Sequence, residues 1–169
     1  MQGFARVESG EGEAGIAQMQ QGLADLARIG SGVAAPRLLA KLAEGLRRVG
    51  RYDEALGALT RGVRQAEQQG QHYYDAELHR LRAEILLDMD ANAVEQAEAL
   101  LGQSLEVARQ QEAKTFELRA SISLARMLAQ QGRRAEAHTM LSHIYNWFTE
   151  GFDTADLKDA KALLDELRP

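Results

Sequence analysis

Small residues recur in this chain at a spacing that a copied structural unit explains. Gly15, Ala55, Ala97 and Ala137 stand 40, 42 and 40 residues apart. A second set, Gly3, Ala43, Ala83 and Ala125, precedes them by 12, 12, 14 and 12 residues. From the last small position of one unit to the first of the next is 28 residues each time. The flanks repeat as well, in Gly10-x4-Gly15-x3-Met19, Gly50-x4-Ala55-x3-Leu59, Ala97-x3-Leu101 and Gly132-x4-Ala137-x3-Leu141. Four copies of one unit read as an array of helical hairpins, each burying its apolar face against its neighbour. Two helices approach closely only where neither carries a bulky side chain. Ala43 with Ala55, Ala83 with Ala97, and Ala125 with Ala137 are therefore the expected crossing pairs.

Between these landmarks apolar residues fall three and four apart, the period of a helix with one buried face. Helices are expected near 11–29, 35–49, 52–69, 73–88, 93–110, 114–131 and 134–148, with a last one at 154–167. Pro36 suits a first helical turn, and Gly30, Gly50 and Gly70 suit stops. The chain has only two prolines and is rich in Ala, Leu, Glu, Gln and Arg, a helical composition. Short connections make neighbouring helices antiparallel. The expected architecture is all-α, a right-handed solenoid of antiparallel helical hairpins with a period of about 40 residues. It forms one helical-repeat domain over 1–169, with repeats near 1–30, 35–70, 73–110 and 114–148 and a capping helix at 154–167.

The two ends read differently. The first repeat lacks most of its first helix, and solenoids normally end in a polar cap. Residue 1 is therefore expected to open a C-terminal fragment of a larger protein. At the other end Asp153 is expected to cap the final helix, with Asp156 favouring its positive end. Leu157, Ala160, Leu163, Leu164 and Leu167 form that helix's apolar side, and Trp147, Phe148 and Phe152 are expected to plug the edge of the last hairpin.

Composition and motifs exclude several functions. A formal charge of −5 lacks the cationic surplus that nucleic acid or an acidic membrane surface requires. The chain has no cysteine, hence no disulfide framework, and no apolar run of membrane-spanning length, so a cytoplasmic protein is expected. Gly10-Glu11-Gly12-Glu13-Ala14-Gly15 lacks the Gly-Lys-Ser/Thr ending of a phosphate loop and carries the wrong charge for one. His72, His79, His138 and His143 form no pair spaced to hold zinc on one helical face. Ser121, Ser123 and Ser142 lack a nucleophile's surroundings. No catalytic residue, metal ligand or cofactor site is expected.

Gly50-Arg51-Tyr52-Asp53-Glu54-Ala55-Leu56 and Gly132-Arg133-Arg134-Ala135-Glu136-Ala137, with Leu42-Ala43, Leu46 and Leu124-Ala125 upstream, resemble the tetratricopeptide repeat. Leu39 stands where that family often has Trp. The family's usual period is about 34 residues, so the surplus here lies in the 28-residue step, which longer helices absorb. Period alone also permits HEAT-like helix pairs. A narrower resemblance rests on Glu77-Leu78-His79-Arg80-Leu81-Arg82-Ala83-Glu84, Ser104-Leu105-Glu106-Val107-Ala108-Arg109, Glu117-Leu118-Arg119-Ala120 and Trp147-Phe148-Thr149-Glu150-Gly151-Phe152-Asp153-Thr154. These are similar to the C-terminal repeat region of large bacterial signalling proteins. There an adenylate-cyclase-like or transcription-regulator module precedes a predicted ATPase and then helical repeats. Nothing in the chain resembles the cyclase or ATPase parts.

The resemblance implies that the first helices of successive hairpins line a concave surface. Its candidate partner-binding residues are Arg37, Glu44, Arg47, Glu77, Arg80, Glu84, Arg119 and Arg126, with Arg48, Asp88 and Gln130 beside them. Glu44 and Glu84 are expected to fall alongside Arg126. Planar guanidinium groups suit the carboxylates of an extended peptide or helix. The implied function is a non-catalytic protein–protein interaction module, a scaffold or regulatory tail in signalling. Two alternatives stand beside it: a small-molecule sensor using Arg80, Arg126 and Tyr73 or Tyr74, and a structural spacer. Taken singly, the same charges also read as ion pairs that keep helices soluble. Self-association through the N-terminal edge is a further expectation.

Overall fold

The computed structural model describes residues 2–28 and 35–168. Among these residues there are nine helices and no strand: α1 (Gln2–Glu8), α2 (Gly12–Arg28), α3 (Ala35–Arg48), α4 (Tyr52–Gln69), α5 (Asp75–Met89), α6 (Val94–Gln110), α7 (Lys114–Gln130), α8 (Arg134–Tyr145) and α9 (Ala155–Leu167). Each of the nine packs against the next where both flank a described connection, and α2 also packs on α3. The odd-numbered helices add a second set of contacts, α1 to α3, α3 to α5, α5 to α7 and α7 to α9. Among the described residues no such contact joins α2, α4, α6 and α8 to one another. The odd-numbered helices thus form a continuous inner row.

The small residues sit where close approach requires them. Ala43 and Ala55 share one apolar cluster, Ala83 and Ala97 a second, Ala125 and Ala137 a third, and all six are fully buried. In the first pair of helices the spacing is tighter still. A Cβ on Gly15 would lie 2.4 Å from the Gly3 carbonyl oxygen, and one on Gly3 would lie 2.8 Å from that of Gly15. Backbone meets backbone there, which is why glycine replaces alanine. The three clusters follow one another along the chain, so the apolar core is a series and not a single centre.

Glycine also ends helices. Gly70 adopts a left-handed conformation after α4, its N–H directed at the Glu67 carbonyl at 3.3 Å, and Gln71 N–H reaches Ala66 O at 2.9 Å. After α6 the corresponding left-handed residue is Glu112, with φ of 54°, so this stop is made without glycine. Pro36 occupies the first turn of α3 as its missing donor allows. The expected stop of α2 at Gly30 lies outside the described residues.

Three local expectations are corrected. Helix α8 ends at Tyr145, not 148, because Trp147 N–H and Phe148 N–H bond three residues back to Ile144 and Tyr145 and tighten the last turn. Helix α5 starts at Asp75, since Tyr73 and Tyr74 lie in a turn closed by Asp75 N–H to His72 O at 3.1 Å. Asp153 does not cap α9: Thr154 holds the N-cap position, and its hydroxyl donates back to Gly151 O at 2.7 Å.

Candidate functional site

The inner row encloses a groove of about 570 Å³ between α3, α5, α7 and the start of α9. Helical periodicity builds it. Glu44, Arg47 and Arg48 fall on one side of α3; Glu77, Arg80, Glu84 and Asp88 fall at three- and four-residue steps along α5; Arg119, Ser123 and Arg126 do so on α7. Leu87, Ile122 and Met127 supply apolar floor between them. Seven of the eight expected site residues line this groove together. Arg37 does not, because it sits exposed in the first turn of α3 while the groove lies over that helix's later turns.

The groove's charges satisfy one another. Arg47 pairs with Glu84 and, at 2.6 Å, with Asp88, both on α5. Arg80 grips Glu77 through two nitrogens at 2.9 and 2.8 Å and reaches Glu84 at 2.5 Å. The Ser123 hydroxyl of α7 donates to Glu84 at 2.5 Å, and Arg119 lies 3.4 Å from Glu77. Arg119 then bonds Asp156 of α9 at 2.8 Å, and Arg126 pairs with Asp159. Glu44 stays within its own helix, bonded by Lys41 at 2.8 Å, with Arg48 at 3.6 Å. Arg48 is also 3.6 Å from Glu8 of α1. The inter-helix pairs therefore alternate in sign: acid on α1, base on α3, acid on α5, base on α7, acid on α9.

Glu44 and Glu84 line the groove with Arg126, but neither forms an ion pair with it. The α7 residue facing Glu84 is Ser123, one turn earlier, and Arg126 turns to α9. Asp156 and Asp159, supplied by the capping helix, were not expected in the groove: sequence reasoning assigned Asp156 to the positive end of α9 and paired neither with the arginines of α7. A signal existed: oppositely charged partners recur 33 to 42 residues apart, near one repeat length.

Burial separates an interior from a rim. The Glu77 side chain is 3% exposed and that of Arg80 12%, whereas Arg126 is 49% exposed. Burial alone would raise the Glu77 pKa, but the charge and hydrogen bonds of Arg80, with Arg119 and Lys41 behind, bring it below the usual carboxylate range. Arg80 remains firmly cationic: burial works against its charge, and Glu77 and Glu84 outweigh it. Tyr74 is pushed up to about 12, first by burial and then by the charge of Glu77.

Six cations and six carboxylates line the groove, so it carries no net charge although the chain carries −5. It therefore exerts no strong pull on a ligand of one sign and offers exchange of partners along its rim. Tyr73 and Tyr74 are not among its lining residues; Tyr74 is buried against Phe116, with ring centroids 5.2 Å apart. A site built from Arg80, Arg126 and these tyrosines is thus not assembled in the groove. Among the described residues no group of three or more His, Asp and Glu side chains could hold a metal, and no described helix is long and apolar enough to cross a membrane.

A second hollow, of about 610 Å³, lies among α1, α2 and α3 and is lined by Phe4, Met19, Leu23, Leu26 and Leu38 with polar neighbours at its margin. No protein-family model matches the sequence, and no curated protein matches it significantly.

Proposed function

We propose that the chain is a solenoid of tetratricopeptide-like hairpins and acts as a non-catalytic module that binds a protein or peptide partner in the groove of its inner row. The observation that supports this reading is the groove itself. One concave surface collects Glu44, Arg47, Glu77, Arg80, Glu84, Arg119 and Arg126 from three successive odd-numbered helices, with an apolar floor of Leu87, Ile122 and Met127. Rim arginines are the residues available to a ligand, because the interior ones are already held by buried carboxylates. A partner with both carboxylates and cations would exchange rim pairs one for one, at little cost in unpaired charge. In a larger cytoplasmic signalling protein such a module would act as a regulatory tail, its partner favouring one curvature of the array. Self-association at the hollow of α1, α2 and α3 belongs to the same reading as a secondary contact.

The test is affinity capture from a lysate with the wild-type chain and an Arg48→Glu/Arg126→Glu variant. Both substitutions lie at the rim, so helicity measured by circular dichroism stays unchanged. A protein retained by the first chain and lost by the second supports groove binding. Equal capture by both chains removes the groove from the account and leaves a spacer.

A further inference from the structure

The connection between α8 and α9, residues 146–154, is the longest described loop, and its chemistry differs from that of the groove. It carries two of the four exposed large apolar side chains among the described residues, Trp147 at 57% and Phe152 at 47% exposure. These two do not plug the end of the array as expected; only Phe148 packs into the cluster of α7, α8 and α9. The loop also holds Glu150 and Asp153, both exposed, and contains no Lys, Arg or His. Among the described residues neither carboxylate pairs with a cation, unlike the carboxylates of the groove. Since the groove is neutral, the chain's acidic surplus lies outside it.

The loop is held in shape. The Tyr145 and Phe152 rings lie 5.8 Å apart. Gly151 takes φ of 77°, and both the backbone N–H and the hydroxyl of Thr154 donate to its carbonyl, at 2.9 and 2.7 Å. A preformed surface loses little conformational freedom on binding, and exposed aromatic residues are the side chains that anchor interfaces. Trp147 already faces one cation, Lys114 Nζ at 5.6 Å from its ring centroid, while that ammonium is held by Glu117 at 2.8 Å. The ring's environment is thus one that accepts positive charge. A guanidinium fits better than an ammonium here, because it is planar, weakly hydrated, stacks on rings and donates in a fork to carboxylates.

We propose that the α8–α9 loop docks an arginine-bearing segment of a partner protein, with Trp147 and Phe152 supplying ring faces and Glu150 and Asp153 the hydrogen-bond acceptors. The loop supplies no residue to the groove, so docking here stands independently of what the groove binds.

Trp147 is the chain's single tryptophan, so its fluorescence reports on the loop directly. The whole chain is titrated with hepta-arginine, hepta-lysine and hepta-glutamate peptides at fixed salt, and its mass is followed by sedimentation velocity. Hepta-arginine is expected to give a saturable change in emission, hepta-lysine a distinctly weaker one and hepta-glutamate none. A Glu150→Gln/Asp153→Asn variant, folded by circular dichroism, should bind hepta-arginine about tenfold or more weakly, as expected for lost charge-assisted hydrogen bonds. Absence of any response, equal response to arginine and lysine, or undiminished binding by the variant would overturn the assignment. So would a dimer that dissolves in the variant without any peptide response, which would give the loop to a second copy of the chain.

Discussion

Where α3 packs on α4, α5 on α6 and α7 on α8, fully buried alanines from both helices share an apolar cluster, and their small side chains permit close approach. Between α3, α5, α7 and α9 the contact surface instead carries a ladder of arginine–carboxylate pairs that alternates in sign from one helix to the next. The first kind of seam is limited by size and indifferent to charge. The second tolerates size and depends on every buried charge keeping its partner. One array therefore uses two unrelated controls, shape within a pair of helices and charge order between pairs. Alternating signs also oppose any shift that would bring like-charged helices together.

The strongest way to break the charge seam is Arg80→Ala. Glu77 would then stay buried with the 3.4 Å contact to Arg119 and the more distant charge of Lys41, and removal of one partner from a buried pair costs about 3–5 kcal/mol. Urea unfolding should show that loss, and a change below about 1 kcal/mol would demote the network to the class of surface pairs. The size seam is probed by Ala97→Leu, which overpacks the α5–α6 crossing and should cost about 1–3 kcal/mol, while Ala135→Leu on exposed α8 surface should be near neutral.

Acid sharpens the distinction. The folded pKa of Glu77 lies below its unfolded value of about 4.3, so its contribution to stability is complete above that value. The contribution is lost as pH falls through the folded pKa. Stability of the wild-type chain should drop in that acidic window, and the part due to Glu77 should be missing from a Glu77→Gln variant. Thermal melts across the window read it, and parallel curves for the two chains would contradict the assignment. The smallest effect belongs to the rim. Arg126→Ala removes a half-exposed pair with Asp159 and should cost under about 1 kcal/mol, a difference that high salt erases.

The size seams were legible in advance because a repeated alanine is a local fact: its position in the chain fixes its place on a helix. Proline-poor composition rich in Ala, Leu, Glu, Gln and Arg, together with the apolar period, indicated the helices by the same route. The charge seam was legible only in part. Seven of the eight expected groove residues lie together, since a helix face is also local, but which partner each one chose depends on the rise between helices. One turn of offset gives Glu84 to Ser123 and leaves Arg126 to Asp159. Arg37 dropped out because the groove does not reach the start of α3. The end of α8, the cap of α9 and the exposure of Trp147 were misread for a related reason, as a nine-residue loop is shaped by its own turns and not by helical period.

The amino-acid order by itself determined that this protein is helical, which small residues its neighbouring helices bury together and which side chains share a face. Those properties follow from backbone period and side-chain volume, which act within a few residues. Tertiary structure alone decided that the groove is neutral, that Glu77 and Arg80 form its interior while Arg126 stands at its rim, and that the loop before α9 leaves two aromatic rings and two carboxylates in solvent. Burial and the pairing between helices are set by distances between chain segments more than thirty residues apart, and those distances exist only once the helices have packed.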